Sequence, residues 1–348
     1  MRVGILTGGG DCPGLNPAIR GAVLRGLDHG FEFVGLRLGW KGLVEGLTTG
    51  LPLEKVEDIV RQGGTILSSS RTNPFNPKDP KVEECLATWI RLNLDALIAI
   101  GGDDTLTAAK RFHHEHGLNV VGVPKTMDND LDHTDYTFGF DTAAGVALDA
   151  ADRLLDTARS HHRILVLEVM GRYAGWVALH VGIGAGADWI CIPEVPVNFE
   201  EMIATLKRKR DRGKHWGLVV VSEAVKVPVE ELSAEQLGDR KPDAFGHVPL
   251  GGIVGEFMAK RIEAALGIET RVAVLGHVQR GGSPSLFDRF LGTRVGVMAA
   301  DLVKEGRFGM MAALHGTEIV AVKLSDAVGT NKQVPPDMWP EVLSLINK

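Results

Sequence analysis

Two short acidic stretches carry the residue types that chemistry needs. Gly101-Gly102-Asp103-Asp104-Thr105 follows the apolar run Ala96 to Ile100, and Pro124-Lys125-Thr126-Met127-Asp128-Asn129-Asp130 follows Val120 to Val123. Such runs read as buried parallel strands, and in an open α/β sheet ligands bind beyond the strand ends. Several carboxylates, one lysine and small residues then converge on one mouth. That mixture suits a phosphoryl group held with Mg²⁺ and a hydroxyl awaiting deprotonation. Adjacent aspartates in a first helical turn also offset orphan N–H groups, so Asp103 and Asp104 have a structural use beside the metal-binding one.

The elements that must position these residues alternate along most of the chain. Val3 to Leu6 reads as a strand followed by a helix over about 15–27, and Leu97 to Ile100 precedes a helix over about 105–116. Val120 to Val123 comes next, then a long helix over about 143–160. Further strands are expected at Ile164 to Val169, Ile190 to Ile192, Leu218 to Val221, Val272 to Leu275 and Ile319 to Val322. Repeated βα alternation predicts an α/β fold of two doubly wound, Rossmann-like parallel-sheet lobes. Borders near 140, 250 and 305 divide the chain into two lobes, 1–140 plus about 251–305 and 141–250 plus about 306–348. Arg71 to Pro77, with its closely spaced prolines, and Gly238 to Asp243 read as loops.

Gly8-Gly9-Gly10-Asp11-Cys12-Pro13-Gly14 joins the first strand to its helix. Its glycines let backbone N–H groups of Gly9 and Gly10 approach an anion, and the helix start favours negative charge. The same sequence also makes a plain tight turn. Pro13 stands where a GxGxxG dinucleotide fingerprint wants glycine, and no GxxxxGK[ST] occurs anywhere. Arg71, on the proline-rich loop, is a candidate cation for the same phosphates.

Bulk properties narrow the classes. A chain of 348 residues is too long for one small core. A formal net charge of −6 argues against a general polyanion binder such as a nucleic-acid protein. The basic run Lys207 to Arg212 reads as the solvated end of a helix, and His113, His114 and His116 as another helix end. Three cysteines without CxxC spacing read as reduced thiols in a cytoplasmic protein. The first residues read as a strand and not a signal peptide, and no stretch is long and apolar enough to span a membrane. Trp40, between Gly39 and Lys41, suits either the edge of a ligand site or the core.

Taken in order, these segments resemble the phosphofructokinase family, which phosphorylates fructose 6-phosphate on O1. The resemblance runs through the Gly-rich turn, GGDDT and PKTMDND. It continues through Glu168 to Gly175, Ser222-Glu223 and Leu275 to Pro284, and so covers nearly all of the chain to about residue 305. It implies that Asp128 is the general base, Asp103 a magnesium ligand and Arg172 a stabiliser of the transferring phosphoryl group. Thr126 and Asp130 would surround the reacting oxygen, and Thr105 would join Gly9, Gly10 and Arg71 around the donor phosphates. Met127, Met170, Gly171 and Glu223 would contact the sugar, and His277 and Arg280 its 6-phosphate. Arg163 and Arg271 would reach that phosphate from a neighbouring subunit, implying a homo-oligomer, at least a dimer and, by resemblance, a tetramer.

Members of that family that use ATP usually carry Gly where Asp104 stands, and many carry Gly at the position of Lys125. Members that use pyrophosphate resemble this chain at both. An Asp104 carboxylate occupies volume beside the α-phosphate of ATP; at ~4 Å and an effective dielectric of ~20, like charges repel by about 4 kcal/mol. Lys125 supplies a compact cation for a departing phosphate that has no adenosine to anchor it. Pyrophosphate is therefore the expected donor, with fructose 6-phosphate as acceptor; the alternatives are an ATP-dependent member of the family and, in another class, a non-catalytic sugar-phosphate sensor.

Overall fold

A computed structural model describes residues 1–228 and 251–346; the expected loop at 238–243 lies outside the described residues. Two sheets organise the chain. The first has seven strands in the order β11-β10-β5-β4-β1-β2-β3, and the second has four in the order β7-β8-β6-β9. The strands are β1 (Arg2–Thr7), β2 (Glu32–Leu36), β3 (Thr48–Gly50), β4 (Ala96–Gly101), β5 (Val120–Pro124), β6 (Ile164–Val169), β7 (Trp189–Cys191), β8 (Gly217–Ser222), β9 (Thr270–Val274), β10 (Met310–His315) and β11 (Glu318–Lys323).

Central strands β4, β5, β6 and β8 are buried at every residue. Their continuous apolar runs suit strands covered by helices on both faces. In the first sheet the chain lays β2 and β3 to one side of β1 and then returns to place β4 and β5 on the other. The crevice between the ends of β1 and β4 is thus a switch point of the kind that receives ligands. The second sheet repeats the device: β6 is flanked by β8 and β9.

The expected division into lobes needs correction. β9 pairs with β6 in the second sheet, whereas β10 pairs in parallel with β5 and β11 antiparallel with β10 in the first. Residues 251–274 therefore belong with the lobe of the second sheet, and 310–323 with the lobe of the first. An apolar run announces a strand, but the sheet it joins is decided by long-range pairing. Nor are the sheets wholly parallel, since β3 also runs antiparallel to β2.

Helix Leu286–Lys304 returns to the first lobe and packs along helix Leu15–Asp28. A Cβ on Gly296 would stand 2.2 Å from the Ala18 carbonyl oxygen, so this crossing depends on the missing side chain. The last helix, Met338–Ile346, crosses again and buries Val342 and Ile346 in the second lobe's core. Trp40 is core: it is buried against Phe112, ring centroids 5.1 Å apart.

Candidate active site

Between the two sets of strand ends lies a cleft of about 490 Å³. The donor-side wall starts from β1. Gly8 N–H donates to the Ile100 carbonyl at 2.9 Å, closing the turn against β4. Gly9 takes φ +79, and the space beside Gly8 and Gly101 is filled by Thr105, which a Cβ on either would strike at 2.6 or 2.4 Å. Gly9, Gly10, Arg71 and Thr105 all line the cleft, as expected of a phosphate cradle. The helix start does not contribute: Gly14 is packed under Phe138, 2.7 Å from where a Cβ would stand, and is not part of the cleft wall.

Asp103 and Asp104 open helix Asp103–His116 directly after β4. Asp103 accepts a 2.8 Å hydrogen bond from Gly329 N–H. Asp104 reaches across the cleft and pairs with Arg172 of the other lobe at 3.2 Å. This pairing tempers the charge argument made from sequence, because a carboxylate already beside a guanidinium repels an α-phosphate less than a lone one. Burial lowers the pKa of Arg172, but the ion pair with Asp104 outweighs it and leaves the group above its ordinary value.

Lys125 ends β5 and is buried, its ammonium donating to the Gly10 carbonyl. Burial pulls its pKa down, with Arg280 adding to that and Asp128 opposing it. Three residues on, Asp128 is also buried and lines the cleft. Its Oδ2 accepts from the Thr126 hydroxyl at 3.2 Å, which in turn accepts from Asp128 N–H at 3.0 Å. Its Oδ1 is buried with no hydrogen-bond partner among the described residues. An orphaned buried acceptor is costly unless a donor arrives, and a substrate hydroxyl is such a donor. Asp130 is held up in pKa first by burial and then by the neighbouring Asp128.

On the opposite wall, β6 runs into Met170 and Arg172, the latter at φ 52. Glu223 follows β8; burial, then the charge of Asp128, pushes it up to about 7. It accepts from Arg172 N–H at 3.3 Å. His277 lines the cleft from the turn after β9. Arg280 departs from expectation: its guanidinium donates to the Asp11 carbonyl at 3.0 Å and lies over Gly10, where a Cβ would be 2.7 Å away. It belongs to the donor turn as much as to the sugar-phosphate end.

Five expected contacts do not line the cleft within one chain, Asp130 and Gly171 among them. Met127 is fully buried in the first lobe's core. Arg163 and Arg271 share Glu269 away from the cleft, Arg163 Nε at 2.6 Å. Tyr173, part-exposed, lines the cleft although nothing in its spacing marks it. The basic run 207–212 is partly used structurally, Lys209 bonding to the buried Asp188 at 3.1 Å. Cys12, Cys85 and Cys191 are free and buried, and burial pushes each thiol up to about 12.

No group of three or more His, Cys, Asp or Glu side chains forms a metal cage among the described residues. Mg²⁺ needs none, since it binds through one or two carboxylates, keeps waters and shares substrate phosphates. Asp103, a hard oxygen donor at the mouth of the phosphate cradle, fits that mode.

A doubly wound pair of lobes enclosing a phosphate cradle, a buried lysine and an orphaned carboxylate defines a phosphoryl-transfer architecture. The Phosphofructokinase family profile matches residues 2–303, and the chain belongs to that family. It is 52% identical, over all of this chain and 99% of the other, to the pyrophosphate–fructose 6-phosphate 1-phosphotransferase of Dictyoglomus thermophilum. It is 47% identical, over 98% of both chains, to the ATP-dependent 6-phosphofructokinase 3 of Streptomyces coelicolor. The solved phosphofructokinase of Saccharomyces cerevisiae superposes with a TM-score of 0.80 at 28% identity over 93% of this chain; this chain spans 45% of that one. No helix among the described residues is long and apolar enough to cross a membrane.

Proposed function

We propose that this protein transfers a phosphoryl group reversibly from pyrophosphate to O1 of fructose 6-phosphate, giving fructose 1,6-bisphosphate and phosphate. The observation that carries this reading is the Asp104 carboxylate standing in the cleft, tied to Arg172 at 3.2 Å, in the same lining as the buried Lys125. The relatives named for pyrophosphate and for ATP differ by only a few per cent in identity, so the residues decide. Asp104 fills volume that a nucleotide tail needs, while pyrophosphate ends before reaching it.

Asp128 Oδ1 accepts the proton of the sugar O1 hydroxyl as the O1–phosphorus bond forms. The bridging P–O bond breaks with its electron pair leaving on phosphate. Lys125 and Arg280, both against Gly10, offset the charge on that leaving group. Arg172 exchanges part of its bond to Asp104 for the transferring phosphoryl oxygens. Asp103 would hold Mg²⁺, which supplies charge neutralisation of the phosphates when bound. Glu223 and Met170 orient the sugar and His277 faces its 6-phosphate. Arg163 and Arg271 serve a neighbouring subunit's site, so the working enzyme is a homo-oligomer of the cytoplasm.

The test is an assay of purified protein with Mg²⁺ in both directions, comparing pyrophosphate and ATP. Turnover with pyrophosphate in both directions is expected. Turnover with ATP equal to that with pyrophosphate would overturn the donor assignment.

A further inference from the structure

The segment 329–334 follows β11 in the first lobe and touches Asp103 and the loop after Asp128 before the final helix enters the second lobe's core. Gly329 N–H donates to Asp103 Oδ1 at 2.8 Å. Asn331 bridges to Leu131, and Lys332 N–H donates to the Asp130 carbonyl at 2.8 Å. The Trp176 indole N–H donates to the Lys332 carbonyl at 2.9 Å. Val334 N–H donates at 3.0 Å to Glu194 Oε1, which also accepts Gly175 N–H at 2.8 Å, just beyond the Arg172 turn.

The Lys332 side chain lies on the face of the catalytic loop away from the cleft. Its ammonium donates to Asn129 Oδ1 at 3.3 Å and to the carbonyls of Thr134 and Asp135, each at 2.9 Å. Asn129, between the two aspartates, is held at φ 53. A non-glycine residue in that region persists only where its surroundings over-determine it. Thr137, donating to the same Oδ1 through its N–H at 3.1 Å and its hydroxyl at 3.4 Å, and Lys332 grip its side chain.

We propose that the segment 329–334 is a strap across the back of the catalytic loop and that Lys332 is its positioning residue. By fixing Asn129 and the loop's return, Lys332 holds Asp128 Oδ1 where the sugar hydroxyl must arrive. Lys332 touches no substrate, so its loss acts on turnover and not on binding. This inference rests on the function proposed above and sharpens how its base is placed.

The test uses the full-length protein and three variants, Lys332→Met, Asn129→Ala and the double variant. Wild-type activity with pyrophosphate is measured first, since its absence defeats the proposed function and not the strap. Lys332→Met is expected to lower kcat by about 10²-fold, the cost of displacing a catalytic group by ~1 Å, with KM for both substrates within about twofold. The double variant should be no worse than the more impaired single, because both changes release the same loop. Hydrogen exchange at amides 126–137 should quicken in Lys332→Met without a change in protection of β4 and β5. A kcat within twofold of wild type, or unchanged exchange in that loop, overturns the proposal. Should Lys332→Met fail to fold, Asn129→Ala decides: a wild-type kcat in that variant overturns it equally.

Discussion

The two ends of the cleft are built differently. At the donor end, Lys125, Thr126 and Asp128 are buried, bonded within a short loop and backed by fully buried strands. At the sugar-phosphate end, His277 is exposed, Val278 is 68% exposed, and Arg163 and Arg271 face away with Glu269 between them. The first of these ends is assembled within one chain. The other end is a set of exposed groups whose use requires a further surface. The first end is dry and held by short-range bonds, and the second stays in water.

Removing Asp128 should break the donor end most severely. Asp128→Asn is expected to lower kcat by about 10³-fold, within the range that a positioned general base contributes, with little change in KM for the sugar phosphate. Steady-state kinetics in both directions check this. Asp104→Gly comes next: it frees volume beside the donor and releases Arg172. KM for pyrophosphate should rise about tenfold, equivalent to ~1.4 kcal/mol, while ATP becomes a measurable donor. An ATP affinity unchanged by this substitution would remove the basis of donor selection.

At the open end, Arg271→Ala should raise KM for fructose 6-phosphate about tenfold and leave kcat nearly intact. Mixing that variant with Asp128→Asn should restore activity beyond either alone, because hybrid oligomers would contain one intact shared site. Failure of complementation in a proven oligomer would make the open end self-sufficient.

The smallest effect concerns Glu223, whose pKa burial and Asp128 push up to about 7. Its neutral form is the one the closed site prefers, so KM for the sugar phosphate should rise roughly a few-fold as pH passes from 7 to 8. Glu223→Gln should flatten that rise. The sign for stability is the same. A raised carboxyl pKa contributes stability that is complete below the unfolded value near 4.5 and lost as pH climbs through about 7. Thermal melts of the wild type and Glu223→Gln across that window would measure it.

Most of the strands and the donor-end residues were legible in the sequence because local pattern encodes them. An apolar run followed by Gly-Gly-Asp-Asp places carboxylates at a strand end whatever lies elsewhere. The antiparallel edges, the assignment of β9 and β10 to their sheets and the Asp104–Arg172 pair were not legible. Each joins residues far apart in the chain, 68 positions in the case of Asp104 and Arg172.

By itself the sequence determined the family and the residue types at its strand ends: carboxylates and cations suited to phosphoryl transfer follow from residue type, spacing and resemblance. Only the tertiary structure decided how those groups are aimed. It left Asp128 Oδ1 without a partner among the described residues, laid Arg280 over Gly10, kept Met127 in the core and drew the segment 329–334 across the loop after Asp128. The physical reason is that identity and period are local, whereas burial, pairing and the satisfaction of polar groups are settled only when distant segments pack.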